Sequence, residues 1–176
     1  MIGYKGQQAF IWNLIRKNKV KVKDIPPEFL EQLIELETQN IIPVLASVGF
    51  ILSVKDVRDW FVFFRESDIV LSERDGLIWG FAMFEVELSQ AKILTFSLRK
   101  FNSRRILRDL LLQVMECLKS SEITHINSRA NVTNQRSLNF HRKMGFNEVG
   151  STQAYIEFQT SRKDLEDKIL RRAIVE

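Results

Sequence analysis

Asn134-Gln135-Arg136-Ser137-Leu138-Asn139-Phe140-His141-Arg142-Lys143-Met144-Gly145-Phe146 is the stretch on which the fold turns. Ser137, Phe140, His141 and Met144 recur at i, i+3, i+4 and i+7, a spacing that predicts one face of a short helix. Gly145 ends it, because glycine takes the left-handed C-terminal position at little cost, and Phe146 folds back as an apolar plug. His141 thus shares a face with core residues. At this point it reads equally as a satisfied helix histidine or a working one.

Working outward, Ile123 to Ser128 reads as a strand before this helix and Ala154 to Phe158 as one after it. Ser161 with Asp164 caps a last, charged helix. Upstream, Ile106, Leu107, Leu110, Leu111, Val114, Met115 and Leu118 give another helix a broad apolar face. Cys117 falls in that pattern and reads as a core filler. Three strands precede it: Ile69 to Ser72, Leu77 to Leu88 after an Asp75-Gly76 hairpin turn, and about Ile93 to Leu98. Two helices come first, one opening at Asp24 with Pro26 and Pro27 in its first turn, the other at Ser53 with Asp56 as a capping box. The order implies an α+β fold with a mixed, mostly antiparallel sheet and helices on both faces. Residues 25–176 form one domain in this reading, and 1–24 an N-terminal extension packed on it.

Composition limits the function classes. At 176 residues, 45% apolar and 27% charged, the chain is neither disordered nor a low-complexity linker. No apolar run reaches the ~18 residues of a membrane span, and no small-residue cleavage site follows the basic N-terminal stretch. One cysteine excludes an internal disulfide and points to the cytosol; two histidines are too few for the usual zinc sets. The net charge of +4 tolerates an anionic partner.

The helix motif resembles that of the GNAT acetyltransferase superfamily, Asn-x-x-Ala/Ser-x-x-x-Tyr/His-x-x-x-Gly-Phe, through Asn134, Ser137, His141, Gly145 and Phe146. The element order from Pro26 to Phe158 is similar to that family's as well. The resemblance implies acyl transfer from acetyl-CoA to a primary amine, with the pyrophosphate resting on backbone amides at the start of the preceding helix. The corresponding stretch is Phe101-Asn102-Ser103-Arg104-Arg105-Ile106-Leu107, and Ser103, Arg105 and Leu107 stand where the family's loop has glycine or alanine. Arg104, Arg105 and Arg108 crowd a helix N-terminus, where the macrodipole disfavours cations by roughly 0.3–1 kcal/mol each. A bound anion removes that penalty. The reading is a phosphate-rich ligand held by arginines where glycines normally serve; side chains bent into water are the alternative.

The resemblance also distributes roles. His141 takes the position of the general acid at the CoA sulfur, with Tyr155 as a substitute on the last strand. The oxyanion donor is a backbone amide around Ser97, Leu98 and Arg99. Glu85, on one face with Glu87 and Met83, is the candidate base, unless the strand has simply reached solvent there. His125 reads as structural. The acceptor pocket falls to Asn40–Phe50 and the aromatic helix, where Trp60, Phe61 and Phe64 read as core. Phe63 is freer to line a pocket or a subunit interface, which leaves a homodimer open. The acceptor is a small molecule or a protein. The alternatives are a degenerate GNAT domain that binds CoA or serves as an interaction module, and, ranked last, a nucleic-acid binder whose basic runs lack interleaved aromatics.

Overall fold

The structure is a computed structural model that describes residues 19–99, 104–119 and 122–173. The sequence also offers an apolar-aromatic helix candidate at Phe10, Ile11, Leu14 and Ile15; it and the loop residue Ser103 lie outside the described residues.

A seven-stranded sheet runs in the order β1-β2-β3-β4-β5-β7-β6. Its strands are β1 (Val20–Lys21), β2 (Asp68–Arg74), β3 (Leu77–Glu87), β4 (Gln90–Leu98), β5 (His125–Asn131), β6 (Asn147–Ser151) and β7 (Tyr155–Ser161). The helices are α1 (Pro27–Ala46), α2 (Val54–Phe63), α3 (Arg104–Lys119), α4 (Gln135–Lys143) and α5 (Arg162–Ala173). All neighbours are antiparallel except β4 and β5. The expected fold class stands.

Alternation along β2 and β3 sorts the core into two layers. Ile69, Leu71, Phe81 and Met83 face α1 and α2, where Phe29, Leu33, Ile34, Leu36, Val57 and Phe61 complete one cluster. Val70, Ala82 and Phe84 face the other way, with Leu110, Val114, Met115 and Leu118 of α3 and Leu165 and Ile169 of α5. Among the described residues, only this second layer continues under β5–β7. On the α1–α2 side, β5 and β7 present His125, Asn127, Arg129, Tyr155, Glu157 and Gln159, all exposed or half-buried.

Local chemistry explains the boundaries. Asp75 and Gly76 both have positive φ, 56° and 79°, as a two-residue turn matched to strand twist requires. Ser53 and Asp56 form the reciprocal capping box of α2. Asp164 N donates to Ser161 Oγ at 3.0 Å at the start of α5. Asp24, in contrast, lies in a 3-10 turn, and Pro26 occupies the N-cap of α1 without a side-chain cap bond. Helix α1 also runs through Pro43 to Ala46, so much of the expected connector is helical. Phe61 is buried and Phe63 is 79% exposed, as the aromatic pattern implied.

Candidate active site

β4 and β5 run parallel but pair only through Gln90–Lys92 and His125–Asn127. Beyond Lys92, β4 keeps β3 as its partner, and β5 beyond Asn127 keeps β7. The strands therefore part, and the sheet opens as a wedge toward Leu98 and Asn131. A bulge assists: Met83 faces Thr95 and Phe84 faces Ile93, which leaves Leu94 as the extra residue on β4. Arg99 N donates to Trp79 O at 2.8 Å. Donors alternate along an antiparallel strand, so the Ser97 amide faces β3 too, while those of Phe96 and Leu98 face the opened edge.

The last turns of α1 roof the wedge. Asn40 Nδ2 donates to Leu98 O at 3.3 Å, and the Ser47 and Thr133 hydroxyls stand 2.8 Å apart across the gap. On the other face, the rings of Phe96 and Phe140 meet with centroids 6.1 Å apart. Helices α3 and α4 follow β4 and β5, so both N-termini lie at the open end.

Among the described residues, four buried side-chain polar atoms lack a hydrogen-bond partner: Thr38 Oγ1, Arg99 Nη2, Arg108 Nε and Asn131 Nδ2. Arg99 follows the end of β4, Asn131 ends β5, and Arg108 lies near the start of α3. Leaving such a group unpaired costs about 1–3 kcal/mol. Arg99 Nη2 is 3.7 Å from Glu35 Oε2, an ion pair without a hydrogen bond, and Arg99 Nε donates to Ile78 O at 3.0 Å. Arg105 and Arg108 both lean on Asp109, at 3.9 and 3.7 Å.

A carboxyl is buried beside β4. Glu37 of α1 is 4% exposed and accepts hydrogen bonds from Ser97 Oγ and, at 3.1 and 3.2 Å, from Thr95 Oγ1. Burial raises its pKa above the ordinary carboxyl value, against the lowering effect of the two hydroxyls.

His141 is held from both sides. A carbonyl can only accept, so the 2.7 Å contact with Ser137 O puts the proton on Nδ1, and Nε2 accepts from Ser128 Oγ at 2.9 Å. The ring stacks on Phe158 at 4.5 Å and meets Phe140 and Phe146 edge-on. Burial lowers its pKa, opposed by the Ser137 carbonyl.

No protein-family model matches the sequence, and no curated protein sequence matches it. Solved structures do. PaiA N-acetyltransferase from Thermoplasma acidophilum, in complex with coenzyme A, is 17% identical with a TM-score of 0.63, covering 82% of this chain and 96% of its own. FdhC, a nucleotide-linked sugar GNAT, is 13% identical with a TM-score of 0.63, covering 89% of this chain and 94% of its own. The ribosomal-protein-alanine N-acetyltransferase of Brucella melitensis is 14% identical with a TM-score of 0.54, covering 82% and 98%. The chain has the GNAT fold.

Within the GNAT fold, the expected residues separate. Ser97, Leu98 and Arg99 form the β4 lip of the wedge; of their amides, only that of Leu98 faces the gap. Ile106 and Leu107 are half-buried and pack into the core, which leaves Arg105 on the exposed side of α3. The Arg104 side chain lies outside the described part. Asn134 caps α4 by accepting from Ser137 N at 3.0 Å, so the first half of the motif builds the helix start. Gly145, at φ 84°, and Phe146 close it, with Gly145 N bonded to Arg142 O and Phe146 N to His141 O.

Glu85 accepts from Ser67 Oγ at 2.8 Å, on the β2 side of β3. Its cleft is lined by Lys21, Glu66, Asp68 and Glu87, away from the opened edge. Tyr155 pairs with Asn131 at the open end and stacks under Arg129, 4.8 Å from the ring centroid. Glu37 is the site residue that sequence reasoning missed. A signal existed: it interrupts the stripe Leu30, Leu33, Ile34, Ile41 at helical spacing, where a carboxylate has no solvation.

Proposed function

We propose that the protein is an N-acyltransferase that moves an acetyl or other acyl group from acyl-CoA to a primary amine of a small molecule or a protein. The observation that carries this reading is the wedge: two parallel strands part, two amides face the gap, and buried donors of Arg99 and Asn131 at its mouth have no hydrogen-bond partner among the described residues. Such donors fit a ligand with an amide-bearing arm and a phosphate-rich end. Acyl-CoA supplies the activated thioester. Arg99, Arg105 and Arg108 hold phosphate oxygens in place of the absent loop glycines, with Arg104 and Ser103 completing that segment. The Leu98 amide, with Phe96 beside it, stabilises the carbonyl oxygen as charge develops.

Tyr155 is the proton donor in this proposal, because it is half-buried at the open end. Both His141 nitrogens are engaged, so the imidazole positions α4 against β5 instead. Asn134 and Ser137 serve the cofactor indirectly, by fixing the start of that helix.

A thermal-shift titration with acetyl-CoA, compared with CoA lacking its 3′-phosphate, tests donor binding. Ligand at a hundredfold over its dissociation constant stabilises by roughly 2.7 kcal/mol. A saturable rise, weaker for the dephosphorylated analogue, is the expected outcome, and a flat response at millimolar ligand overturns it. A second reading, a GNAT-fold CoA-binding or interaction module without catalysis, draws on the Phe96–Phe140 contact across the wedge. It requires a thermal shift with no amine-dependent release of CoA thiol.

A further inference from the structure

Amine acylation needs a group that removes a proton from the ammonium form of the acceptor. Glu85, the sequence-based candidate, is bonded to Ser67 on the far side of β3. A base for the acceptor must instead lie beside the wedge strand β4. Glu37 lies on the acceptor side, under the roof that Asn40 and Ser47 complete, and its contacts are two hydroxyls of the wedge strand itself.

We infer that Glu37 is the terminal proton acceptor of the reaction and that the Thr95 hydroxyl relays the proton to it from the acceptor amine. This rests on the acyltransferase reading above. The geometry sets the direction of the relay. Thr95 Oγ1 donates to the Glu37 carboxylate, so its lone pairs are free to accept from an ammonium N–H. One proton passes from the amine nitrogen to Thr95 Oγ1 as the hydroxyl proton passes to Glu37. The threonine ends unchanged, the amine gains its lone pair, and the carboxylate becomes a carboxylic acid. Thr95 is half-buried where Ser97 is buried, so Thr95 is the hydroxyl open to an acceptor and Ser97 holds the carboxylate in place.

No charge stands against Glu37 among the described residues. Arg99 on β4 leans on Glu35, Arg58 on α2 grips Glu31, and Glu85 on β3 takes the Ser67 hydroxyl. Lys92 on β4 and Glu87 on β3 are exposed at the closed end of the sheet. A buried carboxyl without a cation attracts protons more strongly than one in water, which suits a base working near neutrality. A structural staple between α1 and β4 would need the same hydrogen bonds but no such proton affinity in use.

The test compares wild type with Glu37→Gln, Thr95→Val and Ser97→Ala. The probes are acetyl-CoA with a lysyl peptide, a peptide with N-terminal alanine and an amino sugar, read by release of CoA thiol. Glu37→Gln is expected to lose 10²–10⁴-fold in kcat/KM for the amine at pH 7 while acetyl-CoA binding holds within a factor of three. Its remaining rate should climb with pH as the free amine forms in solution. Thr95→Val should lose at least tenfold with the same change of profile, and Ser97→Ala less. In infrared difference spectra, a carboxylate band present in wild type at the working pH, converting to a carboxylic-acid band as pH falls and absent from Glu37→Gln, gives a readout independent of turnover.

A Glu37→Gln rate within threefold of wild type, with an unchanged pH profile, overturns the relay and leaves the acyltransferase reading standing. Wild type that binds acetyl-CoA but acylates none of the three amines overturns that reading and the relay with it. If Glu37→Gln fails to fold, Thr95→Val decides, since an isosteric change at a half-buried threonine that left the rate intact would remove the relay.

Discussion

His141 and Glu37 are buried titratable groups whose perturbations oppose each other, and stability must show both. Burial holds His141 below its ordinary value of 6.5, so as pH falls through 6.5 the unfolded chain binds a proton that the native imidazole refuses. That contribution is fully present above 6.5 and is lost as pH drops toward the lowered native value. Glu37 works the other way. Its native pKa lies above the ordinary 4.5, so stability is present below 4.5 and is lost as pH rises through the raised value. Urea denaturation across a pH series separates them. The stability of Glu37→Gln relative to wild type is expected to rise as pH increases above 4.5, with a limiting slope of about 1.4 kcal/mol per unit. For His141→Phe the corresponding difference should rise as pH falls below 6.5, on top of a constant loss of about 1–3 kcal/mol from the unpaired Ser128 hydroxyl. Curves parallel to wild type would mean that neither group carries its proton as the burial implies.

Among the elements, β4 is the one whose position the site depends on, and Gly80 of β3 sets how close it comes. A Cβ at Gly80 would lie 2.7 Å from Leu98 Cδ2 and 2.9 Å from Ser97 O. The leucine can swing but the carbonyl is backbone, so β4 itself must shift. Gly80→Ala should cost about 1–3 kcal/mol and weaken acetyl-CoA binding together. Gly145→Ala is the contrast: its Cβ meets only Lys168 carbons from 3.4 Å, and the cost of about 1–2 kcal/mol comes from φ of 84°. Stability should fall there while donor affinity, by calorimetric titration, stays put. The same distinction explains what the sequence made legible. The Asp75-Gly76 turn, the Ser53 cap and the Gly145 terminus are local chemistry, and each appears where its residues stand. The wedge is not local. How many residues of β4 and β5 pair before parting depends on two strands separated by a helix, and no periodicity encodes it. Strand β6 escaped because Asn147–Ser151 is a mostly exposed polar edge with Val149 its one large apolar residue. Glu37 was legible as an exception to a stripe, but its partners Thr95 and Ser97 lie 58 and 60 residues away.

At the scale of the whole molecule, the sheet is two half-sheets, β1–β4 and β5–β7, joined by a short parallel ladder. Among the described residues, the first half has helices on both faces and the second is covered on one. Around the wedge the halves touch through Ser47 and Thr133 above and Phe96 and Phe140 below. Such a junction has few backbone bonds between its two strands, which puts opening of the wedge toward the low end of the local stability range. A ligand seated between the strands would make contacts to both halves at once and raise the cost of that opening. Amide hydrogen exchange with and without acetyl-CoA measures it directly. The Phe96 and Leu98 amides, which face the gap, should slow by at least tenfold on saturation, together with Asn131 at the end of β5. Amides of β2 and β3 that pair inside the first half, such as those of Val70 and Phe81, should change far less, because their exchange already requires opening of a two-sided core. Uniform slowing across all seven strands would instead mean that ligand stabilises only against global unfolding. Protection confined to the cleft around Glu85 and Asp68 would move the ligand away from the wedge altogether.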